Sequence, residues 1–196
     1  MYQVAHDPYC YRGSRVLKNK QGLRNQPDLD RYELAMTTQR FAEGLPSGRF
    51  DVAHYRRLHR HLFQDVYTWA GRYRSVRIAK GASMFCYPEN IAREMDVLFG
   101  NSAATQIFDT QSADQFAVAS AGFLAHLNAI HPFRDGNGRS QLAFLVLLAN
   151  RAGYRLYLKR LRQKPFLVAM IESFLGRSDL LASQISGLIR KGQRTG

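Results

Sequence analysis

Nine consecutive residues carry the densest chemistry in the chain: His131-Pro132-Phe133-Arg134-Asp135-Gly136-Asn137-Gly138-Arg139. His131 supplies a base that can be neutral near pH 7. Asp135 is a hard oxygen ligand suited to Mg²⁺, which prefers one or two carboxylates plus substrate phosphates. Gly136, Asn137 and Gly138 can turn successive backbone N–H groups inward as an anion nest. A helix starting here adds its dipole and free N–H groups, and Arg139 in its first turn can fork onto a phosphate. Base, metal ligand, nest and cation together suit nucleotidyl or phosphoryl transfer.

Such a loop needs elements that hold it. Upstream, residues 112–130 read as a helix rich in Ala, Phe and Leu; downstream, 139–152 read as a very apolar helix ending at Gly153. Asp28 or Asp30 is expected to cap a first helix running to about Glu43, with Leu29, Tyr32, Leu34, Met36, Phe41 and Ala42 as its apolar positions. After the GLPSG break at 44–48, Asp51 opens a second helix whose apolar positions are Val52, Tyr55, Leu58, Leu62 and Val66. The stretch 74–87 alternates as a hairpin around Lys80-Gly81-Ala82, and Pro88 starts a helix to about Phe99. Helices over about 163–175 and 178–190 follow, then a frayed tail. The class is all-α, a helical bundle with one short β-hairpin.

Composition agrees with one domain over 1–196. Hydrophobic residues make up 45% and charged residues 22% of the 196, which excludes a wholly disordered or repeat-dominated chain. Cys10 and Cys86 are too few for a disulfide framework or a zinc site and read as reduced thiols. No stretch approaches the ~20 apolar residues of a membrane helix. The opening MYQVAHDPYCYRGSR lacks the basic-then-apolar pattern of a signal peptide. Lys and Arg number 28 against 15 Asp and Glu, a net charge of +13. The resulting field attracts nucleic acid, nucleotides, anionic surfaces or acidic proteins without choosing among them.

The nine-residue segment resembles the signature of the Fic family, His-Pro-Phe-x-(Asp/Glu)-Gly-Asn-Gly-Arg-x-x-Arg, at every fixed position up to Arg139. The likeness extends to YRGSRVLKNKQGLR, HRHLFQDVYTWAGRYRSV and IAKGASMFCYPENI, and covers about residues 9–175; 177–196 are read as a C-terminal helix and tail. It implies the Fic fold, with the hairpin as a flap beside the active-site loop. It implies a protein adenylyltransferase that moves AMP from ATP to a Tyr, Thr or Ser hydroxyl. By the same resemblance His131 is the general base, Asp135 holds Mg²⁺, and Gly136, Asn137, Gly138 and Arg139 bind the phosphates. Phe133 anchors the loop. The flap, with Lys80, Gly81 and Phe85, registers the target segment by β-augmentation.

The chain departs from the signature at Leu142, where the family's second arginine is expected. That arginine normally grips the γ-phosphate and meets an inhibitory glutamate in a Ser/Thr-x-x-x-Glu-Gly/Asn helix. Glu43-Gly44 and Glu89-Asn90 are preceded at the required spacing by Gln39 and Phe85, so neither forms that motif. A small separate antitoxin supplies the helix, or this protein is not restrained that way. Leu142 also opens two alternatives: a donor other than ATP, or a weakly active binding module, with nucleic acid as a less favoured partner. Arg134 is a candidate to offset the lost phosphate contact. Gly138, where a kinase-like branch resembling the Doc toxin carries Lys, argues for nucleotidyl transfer. The absence of an appended secretion or localisation segment favours a toxin in the bacterial cytoplasm over an effector delivered to a host cell.

Other chemically suggestive residues have plainer readings. His54, His59 and His61 are expected to be surface or partly buried histidines rather than ligands. His126 is read as structural. Tyr67, Trp69 and Tyr73 are expected to pack the flap's root rather than stack a base. Asp65 and Glu94 have no paired carboxylate in view. The basic run Arg155, Lys159, Arg160, Arg162, Lys164 is read as a solvated face.

Overall fold

A computed structural model describes residues 7–80, 83–100 and 107–189. In chain order its elements are α1 (Gln26–Ala42), α2 (Val52–Phe63), β1 (Ala79–Lys80), β2 (Ser83–Met84), α3 (Ile91–Gly100), α4 (Ala113–Ile130), α5 (Asn137–Arg151), α6 (Gln163–Phe174) and α7 (Asp179–Leu188). Short 3-10 turns occupy Pro88–Asn90 and Leu158–Arg160. The all-α expectation with one small hairpin holds. The chain falls into two compact units, one of residues 1–91 and 132–143, the other of 92–131 and 144–196.

In the first unit, α1 packs on α2. The cap of α1 differs from expectation. Asn25, not Asp28 or Asp30, accepts from the N–H of Asp28, and Pro27 occupies the first turn, where its missing donor costs nothing. The buried stripe of α1 is Leu29, Glu33 and Thr37, spaced by one helical turn, while Leu34 faces outward. A carboxylate and a hydroxyl therefore sit where an apolar face was sought. α2 is capped by Asp51, whose side chain accepts from the N–H of His54, as expected. It buries Tyr55, Leu58 and Leu62, and also His54, His59 and Phe63.

β1 and β2 pair antiparallel, with Ala79 opposite Met84 and Lys80 opposite Ser83. The hairpin's turn at Gly81-Ala82 lies outside the described residues. Buried Arg74 fixes the hairpin root by donating to the carbonyl oxygens of Val76 (2.7 Å) and Cys86 (2.6 Å). Those two residues bracket the hairpin. Tyr67 stacks on Trp69 with ring centroids 4.3 Å apart, Tyr9 meets Trp69 edge-on, and Tyr73 lies against Phe133 of the motif loop.

In the second unit, α4, α6 and α7 pack on one another. Ser112 and Gln115 form a complete capping box at the start of α4. Phe123 packs against Phe99 and Phe144, all apolar positions of the sequence pattern. Asn128 reaches the carbonyl of Met170 (3.1 Å), tying α4 to α6. His126, expected to be structural, is exposed. The tail from 190 lies outside the described residues.

Candidate functional site

The loop between α4 and α5 is held by its own sequence. His131 caps α4 in a left-handed conformation (φ 49°, ψ 62°), its N–H bonded to the carbonyl of Leu127 at 3.0 Å. A non-glycine residue in this region is uncommon and costs about 1 kcal/mol or more. The reversal ends the helix and starts the loop. His131 is buried. It closes the 92–131 stretch of the second unit, and Pro132 opens the loop counted with the first.

Within the first unit, Phe133 and Asn137 brace the loop against each other. The Phe133 N–H donates to Asn137 Oδ1 (3.0 Å), and Asn137 Nδ2 donates to the Phe133 carbonyl (2.8 Å). Asn137 is buried and its amide is spent on this brace, so its backbone N–H is what it offers to a ligand. Phe133 is fully buried, stacked on Tyr55 and within 3.8 Å of the His59 ring between centroids. Removing such a ring costs about 3–5 kcal/mol. The carbonyl of Pro132 accepts from the N–H of Arg74 (2.9 Å), joining the loop's entry to the root of the hairpin.

His59 supports the loop from below. Its Nδ1 accepts from the N–H of Gly71 (2.9 Å), which leaves the ring proton on Nε2 to donate to the carbonyl of Asp135 (3.0 Å). Burial drives its pKa down to about 3, with the Arg139 charge adding to the effect. The imidazole is therefore neutral. Gly136 lies over Phe63 with φ +79°, and a Cβ there would sit 2.4 Å from the Phe63 ring. Only glycine fits.

The surface above this scaffold is polar. Asp135 is half-exposed, with Oδ1 accepting from the Gly136 N–H (2.6 Å). No trio of His, Cys, Asp or Glu that could hold a metal ion occurs among the described residues. One carboxylate suits a Mg²⁺ that arrives with substrate phosphates, and does not suit a resident metal. α5 begins at Asn137, two residues earlier than the apolar pattern predicts. The N–H groups of Asn137, Gly138 and Arg139 thus fall in its first turn, where helices leave donors without internal partners. Gly138 is exposed, with nothing within 4 Å of where a Cβ would stand. The Arg139 guanidinium lies 4.7 Å over the Phe63 ring, pairs with Glu33, and passes 3.9 Å from Asp135 Oδ1.

The structure brings Asp135, Gly136, Asn137, Gly138 and Arg139 together, with His131 next to them in the chain. In the hairpin, Lys80 is a paired strand residue, Gly81 lies outside the described residues, and Phe85 is buried with its N–H on the Ile78 carbonyl (3.3 Å). Leu142 is half-buried in α5. Arg134 cannot offset the missing arginine as expected: it is buried and its Nε donates to Asp7 (2.7 Å). Three residues at the site escaped the sequence reading. Glu33 and Asp7 carry no functional expectation from the sequence, and His59 is expected as a surface or partly buried histidine. The i, i+4 spacing of His59 with Phe63 and Tyr55 was the available signal.

The chain is similar to known proteins in sequence and in fold. The family model described as "Fic/DOC family" matches residues 49–149. The chain is 49% identical over 189 residues to a probable protein adenylyltransferase, y4lH, of Sinorhizobium fredii, covering 96% of this chain and 98% of that one. It is 36% identical to the protein adenylyltransferase VbhT of Bartonella schoenbuchensis, covering 94% of this chain and 39% of that one. Among solved structures, the N-terminal Fic domain of a Bartonella quintana effector with bound ADP superposes with a TM-score of 0.83 at 27% identity, covering 93% of this chain and 94% of that one.

Proposed function

The chain belongs to the Fic/DOC family, and we propose that it is a protein adenylyltransferase moving AMP from ATP to a hydroxyl side chain of a target protein. The observation that carries this reading is the intact loop His131–Arg139, folded onto a helix start with a half-exposed carboxylate and arginine. His131 accepts the proton of the target hydroxyl. The hydroxyl oxygen attacks the α-phosphorus, the bond to the bridging oxygen breaks, and pyrophosphate leaves. The backbone N–H groups of Asn137 and Gly138 hold the phosphates, because backbone donors at a helix start favour anions, while the Gly136 N–H stays on Asp135 Oδ1 and its left-handed backbone turns the chain into the helix. Arg139 neutralises the leaving group. Mg²⁺ carried by the nucleotide would be held by Asp135 and would offset charge between the α- and β-phosphates. The hairpin around Lys80 and Gly81 registers the target segment through backbone pairing, while buried Phe85, its N–H on the Ile78 carbonyl, anchors it.

The setting we infer is the bacterial cytoplasm, with the protein acting as a toxin restrained by a separate antitoxin. No Ser/Thr-x-x-x-Glu-Gly/Asn motif is present in the sequence, which supports an inhibitor supplied from outside. No helix of the described residues is long and apolar enough to cross a membrane.

The test is incubation of the protein with α-³²P-labelled ATP, Mg²⁺ and a bacterial lysate, beside the His131→Ala variant. A labelled protein band that disappears with His131→Ala is the expected result. A band that persists would remove His131 from the base role. Labelling by UTP and not ATP would favour the alternative donor that Leu142 raises.

A further inference from the structure

Arg139 does not stand alone at the front of the site. Glu33, from the middle of α1, reaches its guanidinium across 106 positions of sequence. The two side chains differ sharply in burial: 11% of Glu33 is exposed against 38% of Arg139. Glu33 thus holds the guanidinium from the protein side, and the open side is left for a ligand. A carboxylate competing with the ligand would be the more exposed of the two. Phe63 covers one face of the guanidinium and so limits its rotation. Tyr67 lies beside Glu33 and is itself fixed by stacking on Trp69. Burial and the nearby Asp135 both push the Glu33 carboxyl up, and the Arg139 charge opposes them. A buried carboxylate of this kind is costly without its cation. The Thr37 hydroxyl, one turn along α1, donates to the Glu33 carbonyl (2.7 Å).

We propose that Glu33 is the positioning residue for Arg139: it fixes the guanidinium fork where the phosphates of the donor nucleotide must meet it. A flexible arginine carries large rotamer entropy, and holding it in advance removes that cost from binding and from the transition state. With Leu142 at the position of the second arginine, Arg139 is the motif arginine that this device serves. The proposal rests on the reading that Arg139 contacts ATP phosphates.

The test is a double-mutant cycle on the full chain. ATP dissociation constants are measured by titration calorimetry, and the KM for ATP and kcat from ³²P transfer, for the parent, Glu33→Gln, Arg139→Ala and the double variant. Thermal melts confirm that each is folded, and Glu33→Gln keeps the volume of the side chain. The expected result is a loss of about tenfold in ATP affinity for Glu33→Gln, as for removal of a charge-assisted partner. Against an Arg139→Ala background the same change has no further effect, because its action runs through the arginine. Unaltered or tightened ATP binding by Glu33→Gln, with Arg139→Ala weakened, overturns the proposal alone. Equal losses in both backgrounds also overturn it, and leave Glu33 a merely structural residue. Unchanged binding by Arg139→Ala overturns the phosphate role of the arginine and the proposal with it.

Discussion

His59 and Asp135 are joined by a 3.0 Å hydrogen bond from the imidazole Nε2 to the backbone carbonyl, 76 positions apart in sequence. The sequence reads this histidine as a surface or partly buried group, and the structure makes it a neutral strut under the loop. Its proton count links loop stability to pH. A free histidine titrates near 6.5, and His59 in the folded chain near 3. Between these values the unfolded chain holds the extra proton. Stability is therefore full above about pH 6.5 and falls as pH drops toward 3, by at most about 1.4 kcal/mol per pH unit from this group. Urea melts from pH 7.5 to 4.5 should show that slope, and His59→Phe should reduce it. An equal slope in both proteins would assign it to other groups.

Gly136 and Gly138 belong to one motif and answer to different constraints. Gly136→Ala meets the Phe63 ring in a left-handed backbone and should lower stability by about 1–3 kcal/mol. Gly138→Ala meets nothing and should leave the melting temperature within a degree or two, while reducing ATP affinity by crowding the phosphates. Calorimetric melts and ATP titrations on the two variants would separate them. A stable Gly136→Ala protein would contradict the packing described here.

Asp135→Asn keeps the side chain's shape and removes its charge. Nucleotide binding by this variant should lose its dependence on Mg²⁺, with little change in melting temperature, since the carboxylate is half-exposed. Titrations of ATP at several Mg²⁺ concentrations provide the check. Metal dependence unchanged from the parent would move the ligand to another residue.

Arg134 and Asp7 form an ion pair with both side chains buried. Removing one member leaves the other charge without compensation, at a cost of about 3–5 kcal/mol. Asp7→Ala should therefore lower the denaturant midpoint strongly without changing its slope. A loss under 1 kcal/mol would mean that water reaches the arginine.

The helices were legible because their signals are local. Asp51 and Ser112 cap α2 and α4 at the positions that spacing assigns, Pro88 opens a 3-10 turn ahead of α3, which starts at Ile91, and the apolar pattern marks α4 and α5. The start of α5 was placed two residues late because Asn137 and Gly138 are poor helix formers. They are carried into the helix by the Phe133 brace. α1 misled for the opposite reason. Its sequence offers Leu34 as core, and the fold instead buries Glu33, since a charged partner waits for it 106 positions away. Polar residues that are buried to meet a distant group can share the helical period of the core, but apolar character does not mark them. Asp7, Glu33 and His59 all belong to that kind, and each one supports the motif loop.

The hairpin's attachment through Arg74 has an evolutionary corollary. Its guanidinium bonds carbonyl oxygens at Val76 and Cys86, groups present whatever side chains stand there. Mutations at exposed positions between these two, such as Met84, alter what the hairpin displays without cutting its mooring, whereas Ile78 and Phe85 are buried. On the proposed function, a lineage can thus explore new recognition sequences at this edge while the motif loop, tethered through Pro132 to the same arginine, keeps its shape. If the hairpin recognises the target as proposed, divergence of clientele and constancy of chemistry are separable in this chain because both moorings of the hairpin are backbone carbonyls.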